Sequence, residues 1–100
     1  LDPLTSYLDE TVFRIDLYDS ESAFIIEALL PQTLKENIDI IADGQDLIIK
    51  VKDFSNNDPH KSQVKIRTIT FPMSISNLKM DVSYENHILE IKLYKPDSTN

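Results

Sequence analysis

The side chains best suited to chemistry are few in this 100-residue chain, and their spacing serves no reaction. His60 and His87 lie far apart in sequence, and there is no cysteine. A metal site needs three or four converging ligands, so none is expected. Glu85 and Glu90 flank a turn, yet nothing in their spacing makes a carboxylate pair with one raised pKa. Serine, histidine and aspartate are all present, but no nucleophile elbow presents a serine. With a single glycine, Gly44, there is no glycine-rich loop to cradle a phosphate, and ATP dependence is not expected. The chain therefore does not read as an enzyme, and no cofactor is expected. Arg67 is a charged residue on a run with apolar neighbours, and the simplest reading is a surface arginine whose stem lies along a sheet. What remains is binding through apolar surface.

Composition narrows the partners. The formal net charge of −7 argues against nucleic acid, which needs clustered Lys and Arg to neutralise phosphates. The same sign disfavours anionic membrane surfaces, and no apolar run approaches the ~20 residues of a membrane span. Negative charge also keeps copies of the chain soluble and apart. Hydrophobic residues at 41% and charged residues at 27% suit one soluble domain, able to bury roughly 65% of the unfolded chain's surface. The start at Leu1 rather than Met carries no charged-then-apolar leader, and a cytoplasmic location is expected.

The elements that must carry any such surface are strands. Met80, Val82 and Tyr84 alternate with Asp81, Ser83 and Glu85; beyond Asn86–His87, Leu89, Ile91 and Leu93 alternate with Glu90 and Lys92. A period of two gathers each apolar set on one face of a hairpin, where a helix would scatter it. Asn86 suits a positive-φ turn position, and His is among the few non-glycine residues that tolerate one, at some cost. Upstream, Phe13, Ile15 and Leu17 alternate within Val12–Tyr18. Phe24, Ile26, Ala28 and Leu30 share a face of Ala23–Leu30, and Pro31 ends that strand. Thr33 to Glu36 has the form of a capping box and predicts one short helical turn. Ile38, Ile40 and Ala42 share a face of Asn37–Asp43. Asp43–Gly44 is the strongest turn signal, and Leu47, Ile49 and Val51 follow it. Phe54–Gln63 is a polar loop. In Val64–Pro72, Val64, Ile66, Thr68 and Thr70 alternate with Lys65, Arg67, Ile69 and Phe71. Residues 1–11 read as an arm or linker, 12–94 as the domain, and Lys95–Asn100 as a polar tail expected to fray. Seven to eight short strands with frequent turns predict an all-β, antiparallel, immunoglobulin-like sandwich.

Four segments, in order, resemble the α-crystallin domain of small heat-shock proteins. Glu27–Ala28–Leu29–Leu30–Pro31 is similar to the family's Glu-Ala-x-Leu-Pro-Gly, with Gln32 in place of Gly. Lys35–Ile40 with Asp43–Ile49 resembles its Lys-Glu-Asp-Ile-x-Ile and Asp-Gly-Asn-x-Leu-x-Ile runs. Arg67, five residues before Pro72, matches the family arginine. Tyr84–Leu89 resembles its closing Asn-Gly-Val/Ile-Leu, with His87 replacing Gly and Val82 standing where Ala is favoured. The resemblance spans about Val12–Leu93.

The resemblance implies an ATP-independent holdase that binds unfolded client proteins by strand addition along an apolar edge. Ile38, Ile40, Met80 and Val82 would line that client- or tail-binding groove, although alternation alone is equally consistent with core positions. Arg67 would pair across a subunit interface. Self-association into a dimer or larger assembly is implied, but Asp53–Gln63 looks short for the loop that swaps between subunits, and Lys95–Asn100 lacks the Ile/Val-x-Ile/Val tail motif. Two other roles fit the same outline: a structural or assembly module, such as a spore- or coat-associated protein, and a CS-domain-like co-chaperone. The arginine and Leu-Pro motifs speak against the latter.

Overall fold

The computed structural model describes residues 13–31, 33–54 and 62–96, with the side chains of 53, 54, 62 and 63 left aside. Seven strands follow in order: β1 (Ile15–Asp19), β2 (Ala23–Leu29), β3 (Ile38–Asp43), β4 (Asp46–Phe54), β5 (Ser62–Thr70), β6 (Lys79–Glu85) and β7 (Ile88–Tyr94). They form two antiparallel sheets, one of four strands in the order β1-β2-β7-β6 and one of three in the order β3-β4-β5. The predicted all-β sandwich is the fold observed.

Register follows the apolar phase. Phe24, Ile26 and Ala28 of β2 sit opposite Leu93, Ile91 and Leu89 of β7, and Leu47, Ile49 and Val51 of β4 face them from the other sheet; all nine are buried. A one-residue slip would turn either set to solvent, so burial itself fixes the pairing. Phe71 completes this layer, its ring centroid 4.8 Å from that of Phe24 at a tilt of 55°, an arrangement aromatic quadrupoles favour.

The turns of the β3–β4 and β6–β7 hairpins each have two central residues. Gly44 has φ +60 and Gln45 does not have positive φ, the pattern of a type II′ turn, which wants glycine first. Asn86 and His87 have φ of 53° and 67°, the left-handed pair of a type I′ turn, here made without glycine.

Three expectations need correction. The capping box does not form. A single 3₁₀ turn covers Lys35–Asn37 with Leu34 at its N-cap and no side-chain cap, while the Thr33 hydroxyl, in a buried residue, donates to the Pro31 carbonyl at 3.4 Å. The polar loop is shorter than Phe54–Gln63, because β4 and β5 keep pairing as far as Phe54 opposite Ser62. The tail is anchored at its first residue: the Lys95 amide donates to the Ser22 carbonyl at 2.8 Å, and its ammonium donates to Asp19 Oδ1 at 2.5 Å and the Ser20 carbonyl at 2.6 Å. That ammonium also lies 4.6 Å from the centre of the Phe24 ring, so the side chain both packs and pairs. The predicted arm (1–11), the rest of the tail beyond Pro96, and His60 lie outside the described residues.

Candidate functional site: the open edge between the sheets

Two sets of hydrogen bonds establish which sheet edges are neighbours. On one flank, Arg67 Nη1 of β5 donates to the carbonyl of Phe13, just before β1, at 2.6 Å. On the other, the β3–β4 turn is tied to the segment that leads into β6. The Gly44 amide donates to Ser76 Oγ at 2.6 Å, and the Ile75 amide donates to the Gly44 carbonyl at 2.7 Å. Ile75 is fully buried and pins this junction, although no periodicity in its loop marks it in the sequence. The edges β3 and β6, one from each sheet, therefore share a flank.

Four strands stacked on three leave the outermost pair only half covered. Met80, Val82 and Tyr84 of β6 stand opposite Leu93, Ile91 and Leu89 of β7, so they belong to the inner face. Their β7 partners are fully buried, yet Met80 is 36% and Val82 47% exposed. From the facing sheet, Ile38, Ile40 and Ala42 of β3 are half-buried and pack against the core. Among the described residues each strand pairs on one side only, β3 with β4 and β6 with β7, so both are edge strands of their sheets. Ile38 and Ile40 are thus half-buried on the inner face of one edge strand, and Met80 and Val82 are exposed on the inner face of the other.

The closed end of this flank is built around Tyr84. Its hydroxyl lies 2.7 Å from the carbonyl oxygens of both Leu30 and Thr33, and the Leu30 amide donates to the His87 carbonyl at 2.8 Å. The strained Asn86–His87 turn is thereby locked to the chain leaving β2.

Arg67 sits elsewhere, on the flank of β1 and β5. The sequence pattern puts apolar residues on both faces of this strand, and the register decides which face is inward. Lys65, Arg67 and Ile69 lie opposite Val51, Ile49 and Leu47 and face in, half-buried, while Val64 and Ile66 are more than half exposed. Ile69 and Phe71 set this phase, and long amphipathic stems suit the partly open rim. Val64 and Ile66 join Ile41 and Ile48 on the outer face of the three-stranded sheet, interleaved with Lys50 and Lys52. That face, which also carries Asp39 opposite Lys50 and Asp43 opposite Asp46, was not anticipated from the sequence, because its apolar residues alternate with core residues and only the register separates the two. The outer face of the other sheet is acidic, with Asp16, Glu27 and Glu90 directly opposite one another across β1, β2 and β7.

Among the described residues no group of His, Asp and Glu could hold a metal ion, and no helix is long and apolar enough to cross a membrane. An open cleft of about 240 Å³ is lined by Phe13, Leu29, Leu30, Pro31, Thr33, Val51 and Lys65.

The fold of this sandwich is shared with small heat-shock proteins of known structure. Its backbone superposes on heat shock protein 16.0 of Schizosaccharomyces pombe with a TM-score of 0.76, at 19% identity and covering 89% of this chain and 91% of that one. It also superposes on a small heat-shock protein of Xylella fastidiosa with a TM-score of 0.72, at 21% identity and covering 89% and 90%. By sequence the chain is 26% identical to the 18 kDa heat shock protein of Clostridium acetobutylicum over 93% of its own length and 68% of that protein. Residues 21–93 match the model of the HSP20-like domain found in ArsA, and the chain belongs to that family.

Proposed function

We propose that this domain is an ATP-independent holdase, capturing partly unfolded proteins in extended form between β3 and β6. The carrying observation is the exposure of Met80 and Val82 on the inner face of an edge strand. An extended peptide added there gains main-chain hydrogen bonds from the unpaired edge and side-chain pockets at every second residue, beside Ile38 and Ile40. No catalytic step is required, and the clients are unfolded chains in the cytoplasm rather than nucleic acid or membrane. Self-association uses the opposite flank, where Arg67, already bonded to the Phe13 carbonyl, would lie at the boundary with a second copy.

Light scattering from insulin reduced with dithiothreitol tests this, since a cysteine-free chain is itself indifferent to the reductant. Suppression at stoichiometric amounts without nucleotide is expected. Val82→Asp should lose it while keeping the native circular dichroism, because inward-pointing charge is tolerated on edge strands. Protection no better than that of an inert acidic protein would overturn the reading.

A second reading has its own support. The matched family is a domain found within ArsA, and the outer face bearing Ile41, Ile48, Val64 and Ile66 suits docking against another domain. The module would then serve assembly, and mutation of Ile66 rather than Val82 would be the damaging change.

A further inference from the structure

We propose that Met80 is a peroxide-sensitive modification site whose oxidation closes the β3–β6 edge to apolar ligands; the effect on clients rests on the holdase reading, the selectivity of oxidation does not. The chain has no cysteine and no tryptophan, so its two methionines are the side chains most easily oxidised by a peroxide. They differ in setting. Met73 is half-buried and packed against the core, whereas Met80 is exposed on the inner face of β6 beyond the cover of β3. The more open thioether meets the oxidant first.

The step balances with hydrogen peroxide alone. The Met80 sulfur attacks one peroxide oxygen, the O–O bond breaks, that oxygen stays on sulfur as the sulfoxide, and the other leaves as water. Sulfur is oxidised by two electrons and the peroxide is reduced by two. A flexible apolar side chain becomes a polar, chiral one. It does so in the strip that Val82 and Ile40 keep apolar, and a docked strand would have to bury the new oxygen with no donor opposite it. Reduction by methionine sulfoxide reductases makes the change reversible.

The test treats the full chain with hydrogen peroxide, removes the oxidant, and maps oxygen addition by peptide mass spectrometry. Binding of the apolar-surface dye bis-ANS and protection of reduced insulin are measured before and after. Met80 should oxidise several-fold faster than Met73, and both readouts should weaken by roughly tenfold once Met80 is converted. Each variant is compared with itself: Met80→Leu should lose the sensitivity to peroxide and Met73→Leu should keep it. Met80→Gln, a polar isostere, should resemble the oxidised protein without peroxide. If untreated protein fails to protect insulin but dye binding still falls on Met80 oxidation, the holdase reading fails and this one stands. Equal oxidation of Met73, or dye binding unchanged by full conversion of Met80, would overturn it.

Discussion

The hydroxyl of Tyr84 in β6 lies 2.7 Å from the carbonyl oxygen of Leu30, bridging an edge strand to the end of β2 across 54 residues of sequence. The Thr33 carbonyl is equally close, and one proton serves the two acceptors in turn. Tyr84→Phe deletes the donor and leaves partly buried carbonyls with a poorer partner, a loss of about 1–2 kcal/mol. In a domain of this size the melting temperature should fall by roughly 4–8 °C per kcal/mol, which calorimetry would read. No change in melting would show that water replaces the hydroxyl freely.

The turn beside it holds spare stability. His87 adopts φ 67°, where a side chain costs about 1–2 kcal/mol relative to glycine. His87→Gly removes that strain but loosens the unfolded chain by about 0.5–1 kcal/mol, so a net gain of up to ~1 kcal/mol is expected. Urea denaturation should show a higher midpoint at an unchanged slope.

The row Asp16, Glu27, Glu90 sets like charges directly opposite one another, relieved among the described residues by pairs from Arg14 to Asp16 at 3.3 Å and Lys92 to Glu90 at 3.8 Å. Glu27→Lys turns two repulsive neighbours into attractive ones, worth about 0.5–1 kcal/mol. The gain should shrink in 1 M salt, where the screening length falls to about 3 Å.

Alkaline pH should weaken the β6–β7 hairpin through one tyrosine. Tyr94 donates to Asp81 Oδ2 at 3.0 Å, and that bond, with the carboxylate's charge, raises the phenol's pKa above its ordinary 10.0. A group raised on folding adds stability that is fully present below its unfolded pKa and is lost as pH climbs through the folded one. Stability should therefore be flat at neutrality and decline above about pH 10. Asp81→Asn should lower the Tyr94 step of the phenolate titration, followed by tyrosine-ring NMR, and an unchanged Tyr94 step would remove Asp81 as the cause.

Much of this was legible beforehand because a sandwich writes itself in alternation. The phases of Phe24–Leu30, Leu47–Val51 and Leu89–Leu93 match the buried face; the β3–β4 turn falls at Gly44–Gln45, one residue past the Asp43–Gly44 signal, and the β6–β7 turn at Asn86–His87. Alternation separates two faces but does not say which is covered. On Val64–Thr70 the apolar phase faces water, and the Lys65–Arg67 phase goes inside, because Ile69 and Phe71 at the strand's end dominate. Ile75 and Lys95 were opaque for another reason: each acts as a single residue in irregular chain, through contacts far away in sequence. The positions of Ile38, Ile40, Met80 and Val82 came from family resemblance; periodicity supplied only their faces.

Among the described residues the two layers differ by one strand. A newcomer that restores parity has to arrive as a ribbon, and β6 is seven residues long, so a grip of a few alternating side chains is the largest it can offer. Compact or helical guests present no such ribbon. Selectivity would then lie in the shape a polypeptide has lost rather than in the letters it is written with, and many weak handholds along one slack chain would count for more than any single strong one.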